Sequence, residues 1–253
     1  MTELVGGEAF IWGWMGLAVI SAVSLMFIDA PYGRHGREGW GPTVSARAAW
    51  VAMETPSLLI MGGLFLAGGR FDDVALWVFA GMWCIHYVHR SWIYPFRARI
   101  TGKTMPVAIA GMAVLFNGVN ATLNGEHLFF LASPPGADWL ADPRFVFGVA
   151  LFVAGMVVNI HSDNLLLGLR RGEDGGYVIP RGGLFRWVSA PNYLGEMMEW
   201  VGFAIATWSL AGAAFAVWTI ANLLPRAVSN HRWYRSKFAD YPPERRALIP
   251  WIF

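Results

Sequence analysis

YLGEMMEWVGFAIATWSLAGAAFAVWTIANLLP, residues 193–225, is an apolar block whose only charged side chains are Glu196 and Glu199. A bilayer core of about 30 Å takes about 20 residues of α-helix, so the block is too long for one span. The stretch from Thr207-Trp208-Ser209 to Gly212 is suited to a tight turn, which would divide it into two shorter helices. Working outward, five more windows are long and apolar enough to cross, near 8–29, 46–68, 74–95, 105–132 and 144–169. The expected fold is an all-α integral membrane protein with seven transmembrane helices.

Composition agrees with that class. Of 253 residues, 56% are hydrophobic and 14% charged, against about 25% charged in a soluble domain. The net charge of +2, with no basic run interleaved with aromatics, excludes a nucleic-acid surface. The one cysteine, Cys84, excludes an internal disulfide and any CxxC metal site, and at an apolar helical position it reads as a small core residue. Glu8 to Ile28 has neither a basic region before it nor a small-residue cleavage site, and reads as a retained helix.

Charge placement sets the orientation. With seven spans, one side holds Arg34, Arg37, Arg47, Arg97, Arg99, Lys103, Arg170, Arg171, Arg181, Arg186 and the basic residues from Arg232 to Arg246, while the other keeps Arg70 and Arg144. The positive-inside rule then puts the N-terminus outside and the C-terminus in the cytosol. No repeat, low-complexity tract or linker divides the chain, so 1–253 is read as one domain. The cytosolic connection from Arg170 to Ala190, about 20 residues with Pro180 and several glycines, is long for a loop without a helix and reads as a lid.

Four acids, Glu54, Asp163, Glu196 and Glu199, lie in or at the mouths of these apolar stretches. A carboxylate there is costly unless paired, protonated or facing a polar cavity, and marks function by default. Glu54 sits in Trp50-Val51-Ala52-Met53-Glu54-Thr55-Pro56. Desolvated, it is expected to stay protonated and donate a hydrogen bond. His86-Tyr87-Val88-His89-Arg90 adds donors on the third span, although a tyrosine there belongs to the core or interfacial belt unless it has a partner such as Glu54. Asn159, Asp163 and Arg170 recur at i, i+4 and i+11, within about 40° of one helical stripe. The guanidiniums of Arg170 and Arg171 suit a phosphate, or else mark the cytosolic boundary. Asn192, Glu196 and Glu199 recur at i, i+4 and i+7. Two ionised acids at i, i+3 repel, so one is neutral or a cation or donor from another segment sits between them. Asn192 also suits a helix cap. His86 and His89 at i, i+3 lack a third ligand at local spacing, so no metal is assigned. No GxGxxG opens a helix after a strand, so a dinucleotide would be held without a Rossmann domain.

These segments, with Pro31-Tyr32-Gly33-Arg34, Ala46-Arg47-Ala48-Ala49-Trp50, Asn159-Ile160-His161-Ser162-Asp163, Gly182-Gly183-Leu184-Phe185, Asn192-Tyr193-Leu194-Gly195-Glu196, Glu199-Trp200, Asp240-Tyr241-Pro242 and Arg245 to Phe253, resemble the steroid 5α-reductases (3-oxo-5α-steroid 4-dehydrogenases) nearly from end to end. The resemblance implies a seven-helix membrane enzyme that uses NADPH to reduce the C4–C5 double bond of a 3-oxo-Δ4-steroid or a related lipid-soluble enone. It implies that Glu54 and Tyr87 hold the 3-oxo group. It places the cofactor against Asn159, Asp163, Arg170, Tyr177, Asn192, Glu196, Arg226 and Tyr234, with Phe116, Arg90 and His231 carried alongside. One departure is Met53, where the family commonly has Gln. The reading from residues converges on this chemistry, because two donors in a dry site stabilise the negative charge that grows on an enone oxygen during hydride addition. Asn192 and Glu196 would fix the nicotinamide carboxamide and Arg170 a phosphate. Steroid would enter from the bilayer and cofactor from the cytosol, in a bacterial inner membrane or the endoplasmic reticulum, and no obligate protein partner is implied. The competing enzyme reading is a membrane S-adenosylmethionine-dependent methyltransferase of the isoprenylcysteine or phospholipid type. The competing reading from another class is a receptor or transporter.

Overall fold

Trp208 is where the long apolar block breaks. The computed structural model describes residues 7–27, 39–169 and 177–253, and in it Trp208 has a left-handed backbone, φ 46° and ψ 40°, which a right-handed helix cannot continue. The preceding helix ends at Thr207 and the next begins at Leu210. Ser209 Oγ accepts the Gly212 N–H at 3.0 Å and so satisfies a donor that the new helix leaves open.

The long helices among the described residues are α1 (Glu8–Phe27), α2 (Ala46–Gly68), α3 (Val74–Val88), α4 (Val107–Glu126), α5 (Pro143–Leu169), α6 (Pro191–Thr207) and α7 (Leu210–Lys237). Glu8–Phe27, Ala46–Gly68, Val107–Leu131, Pro143–Leu169 and Leu210–Lys237 are long and apolar enough to cross a membrane. The protein is a membrane protein. The α-helical part of α3 has 15 residues, and α6 has 17 with two carboxylates on it.

The chain is mostly, not wholly, helical. Strands β1 (Thr43–Ser45) and β2 (Thr104–Pro106) pair antiparallel and fasten the entry of α2 to that of α4. Arg47 reinforces this end, donating from Nε to Pro95 O at 3.1 Å and from Nη2 to Thr101 Oγ1 at 3.0 Å. The sequence window 74–95 is helical throughout but changes type: α3 widens into a π turn at His89–Ile93 before a last turn at Tyr94–Arg97. Pro95 accounts for this, since it has no N–H for Ser91 and its ring crowds that carbonyl. Arg90 lies within the widened turn. The connection expected to be free of helix carries a short 3-10 turn at Gly183–Arg186.

Helices α5 and α6 form the closest pair. A Cβ at Gly148 or Gly155 of α5, or at Gly195 or Gly202 of α6, would come within 2.6 Å of the partner's backbone. The glycines recur at seven-residue spacing on both helices, so one groove meets one ridge over two turns. Between membrane helices such close contact, and not hydrophobic burial, supplies the attraction. Beside this pair is an aromatic layer: Trp83 of α3 packs on Trp200 of α6 at 5.0 Å, and Trp200 on Phe215 of α7 at 4.4 Å. At the end remote from β1 and β2, Arg70 donates to Phe130 O and Ala132 O, and Asp73 accepts from Ala75 N and Gly136 N. The same end has Asp142, whose carboxyl is held down at about 2 by hydrogen bonds from Arg144.

Candidate active site

Two polar clusters are set into this apolar frame. The first joins α3, α5 and α6. Asn159 Nδ2 donates to Asn192 O at 2.9 Å, and Asn192 Nδ2 donates to Asp163 Oδ1 at 3.1 Å. The glycine contact makes these bonds possible, since Gly155 and Gly195 bring the two backbones together one turn away. Arg90 enters from the π turn with Nη1 3.6 Å from Asp163 Oδ2 and Nη2 3.8 Å from Glu196 Oε2. These distances are ionic and longer than hydrogen bonds. Its guanidinium also faces the rings of Trp50 and Tyr94, 5.3 and 5.0 Å from their centroids.

Glu196 and Glu199 diverge although they are three residues apart. Glu196 lines a cavity of about 300 Å³ together with Trp50, Arg90, Tyr94, Lys103, Asp163, Tyr177, Ser189, Asn192, Arg226 and Tyr234. Glu199 is fully buried, and its Oε2 lies 2.7 Å from His86 Nδ1. The expectation of a cation or donor relieving this acidic pair is met twice, by Arg90 at Glu196 and by His86 at Glu199. Asn192 does not cap α6: Ala190 holds that place, Pro191 is the first helical residue, and the Asn192 amide is used on Asp163.

The second cluster joins α2, α3 and α4. Tyr87 O–H donates to Asn117 Oδ1 at 3.2 Å, while Asn117 Nδ2 donates to Met53 O at 2.7 Å and to Glu54 Oε2 at 3.1 Å. Glu54 and Tyr87 therefore converge on one amide. Sequence reasoning passed over Asn117, although a signal was present, since Asn117, Asn120 and Asn124 recur at helical spacing within an apolar span and all three are buried. Asn120 and Asn124 return a donor to the carbonyls of Phe116 and Asn120 in their own helix. Asn117 alone of the three donates to another helix.

The expected cofactor residues separate by position. Arg90, Asp163, Tyr177, Asn192, Glu196, Arg226 and Tyr234 line the cavity. Asn159 is buried behind it, holding the Asn192 backbone. His231 Nδ1 lies 2.6 Å from Ser189 Oγ, which also meets Tyr241 OH at 2.7 Å and so ties α7 to the tail. Phe116 packs among rings of α1 and α7, 6.4 Å from Trp14 and 5.2 Å from Trp218. Arg170 lies outside the described residues. The tail pairs with the entry of α6 through Val188 and Arg246, and Ala190 N–H donates to Ala247 O, which brings it to the cavity mouth.

A cavity with acids, amides, hydroxyls and arginines, beside a carboxyl and a phenol sharing one amide, can hold a polar cofactor next to an apolar substrate's single oxygen. Comparison with known proteins agrees. A family model described as 3-oxo-5-alpha-steroid 4-dehydrogenase matches residues 103–253. A protein named steroid 5-alpha-reductase DET2 from Gossypium hirsutum is 44% identical over 241 residues, covering 94% of this chain and 93% of the relative. Proteins named 3-oxo-5-alpha-steroid 4-dehydrogenase 1 are 46% identical in Macaca fascicularis, covering 88% of this chain and 84% of the relative, and 44% identical in Homo sapiens, covering 89% and 87%. On these matches the chain belongs to the steroid 5-alpha-reductase, or 3-oxo-5-alpha-steroid 4-dehydrogenase, family of oxidoreductases.

Proposed function

We propose that the protein reduces the C4–C5 double bond of 3-oxo-Δ4-steroids with NADPH, giving 5α-steroids. The observation that carries this reading is the convergence of Glu54 and Tyr87 on Asn117, next to the cavity of Arg90, Asp163, Asn192 and Glu196. The relatives' reductase names support it, and nothing among them supports the methyltransferase reading.

The residues present fit a nicotinamide nucleotide. Asn192 gives one N–H to Asp163, which orients the amide and leaves its Oδ1 to accept from a carboxamide, and the Glu196 carboxyl group lines the same cavity beside Arg90 and would meet the same carboxamide. Tyr177, Arg226 and Tyr234 line the same cavity and would meet the sugar and phosphate portions. Arg170 would grip a phosphate as a bidentate donor. Asn159 holds Asn192 in place, and His231 holds the tail at the mouth through Ser189. When bound, NADPH supplies a hydride. Protonated Glu54 and Tyr87 would donate to the 3-oxo oxygen, where charge grows as the hydride reaches C5 and the π pair moves into an enolate. A proton taken at C4 then completes the saturated ketone. Losing one such preorganised donor costs about 10²–10³ in turnover.

The same proposal includes seven spans in a single domain, the N-terminus outside and the C-terminus in the cytosol, with the cavity facing the cytosol of a bacterial inner membrane or the endoplasmic reticulum. What supports this is the joining of basic connections at one end: β1 pairs with β2, and Arg47 bonds to Pro95 and Thr101. Lys103, Ser189 and Asn230 line one cavity there, as the positive-inside rule expects of a cytosolic face. Residues 170–176 of the connection read as a lid lie outside the described residues, and no protein partner is required. Glu54→Leu and Tyr87→Phe test the chemistry. Both should lose turnover on a 3-oxo-Δ4-steroid while still binding NADPH, and full activity in both would remove them from the mechanism.

A further inference from the structure

We infer that Asn117 is the positioning residue that sets how Glu54 and Tyr87 meet the substrate carbonyl; this rests on the role proposed for those two residues. A carboxamide has two N–H donors on one side and an oxygen acceptor on the other. Which way it faces is decided by its partners. Here the decision is unambiguous, because Met53 O is a backbone carbonyl that can only accept, and it lies 2.7 Å from Asn117 Nδ2. The second N–H of that nitrogen is then directed to Glu54 Oε2 at 3.1 Å. Oδ1 is left as the acceptor for Tyr87 O–H at 3.2 Å. Asn117 is 4% exposed, so water does not compete for these bonds.

Two consequences follow for the chemistry. Glu54 Oε2 is already an acceptor, so the proton of a neutral Glu54 resides on Oε1, and the donor has a fixed direction. The Tyr87 proton is directed to Asn117 Oδ1 until a substrate oxygen arrives, and the hydroxyl then exchanges one acceptor for another by rotating its O–H bond. Asn117 thus holds a carboxyl and a phenol from two different helices at the separation one carbonyl oxygen needs. It stabilises no charge directly and acts through its two neighbours. The anchor is rigid because Met53 O belongs to the backbone of α2, the helix that carries Glu54.

Asn117→Leu, branched at Cγ as asparagine is but unable to bond, is the test, with Asn117→Ala as a second variant free of Leu's added bulk against α2. Turnover of a 3-oxo-Δ4-steroid and NADPH affinity are measured in purified protein, together with Glu54→Leu, Tyr87→Phe and the double variant Tyr87→Phe/Asn117→Leu. The expected result is a fall in kcat of about 10²-fold, as for an ångström-scale misplacement of reacting groups, with NADPH affinity unchanged. The double variant should lose less than the product of the two single losses, because the part of Asn117's action that passes through the Tyr87 hydroxyl is already gone while the part through Glu54 remains. Three results overturn the inference: unchanged kcat in Asn117→Leu, a loss that multiplies fully with that of Tyr87→Phe, or loss of NADPH binding in both Asn117 variants, which would make the residue structural. If Glu54→Leu and Tyr87→Phe keep full turnover, the underlying reading of the site fails. If they lose it and Asn117→Leu does not, only the positioning role fails.

Discussion

Helices α5 and α6 meet backbone to backbone, whereas α2, α3 and α4 meet across the site through the side chain of Asn117. In the first pair the glycines leave no room between the chains, and the polar groups above them, Asn159, Asp163, Asn192 and Glu196, are held by main-chain position. In the second group the hydrogen bonds that join Glu54 to Tyr87 run through one rotatable amide. The difference teaches where each side is sensitive: the cofactor side to added volume, the substrate side to lost hydrogen bonds.

The largest effect should come from volume. Gly155→Ala places a Cβ within 2.6 Å of the α6 backbone, and overpacking of this kind costs about 1–3 kcal/mol or more. Gly118→Ala on α4 meets only the tip of Ile60 at 4.0 Å and should hold or raise stability by up to about 1 kcal/mol through helix propensity. Thermal unfolding in detergent checks both, and equal behaviour would abolish the contrast. Next is charge. Arg90→Met leaves Asp163 and Glu196 without their shared cation, and NADPH should bind at least about tenfold more weakly; unchanged affinity by cofactor fluorescence titration would show that Arg90 has no part in holding the cofactor.

The two acids of α6 divide the comparison further. Glu199→Leu strands His86 in an apolar layer and should lower stability by about 1–3 kcal/mol while NADPH affinity holds. Glu196→Gln should weaken NADPH and leave unfolding nearly unchanged. The reverse pattern would exchange the roles assigned to them. Met53→Gln, which restores the residue common in the family, should change turnover least, by less than about threefold, since Asn117 already supplies an amide beside Glu54. A gain beyond that in steady-state assays would mean that the site lacks a donor.

Much of this plan was legible in the chain. The break at Trp208 followed from a block too long for one span, and the stripe of Asn192, Glu196 and Glu199 from helical spacing alone. Their partners were not legible, because His86 is 113 residues from Glu199 in sequence and local spacing says nothing of contacts at that separation. The π turn that carries Arg90 was hidden as well, since a proline near the end of an apolar run signals an ending and not a widening. Asn117 escaped for another reason. An uncharged amide in an apolar span raises no alarm of the kind a carboxylate does, and two of the three asparagines on α4 do bond within their own helix.

The most direct test of the central claim is a single labelled turnover. Purified protein is given a 3-oxo-Δ4-steroid and NADPH carrying deuterium at the transferable position, and the product is located by mass spectrometry and NMR. The account predicts a 5α-reduced ketone with the label at C5, formed by the native chain and lost in Glu54→Leu despite intact NADPH binding. No reduced product, or one without the label at C5, would contradict it.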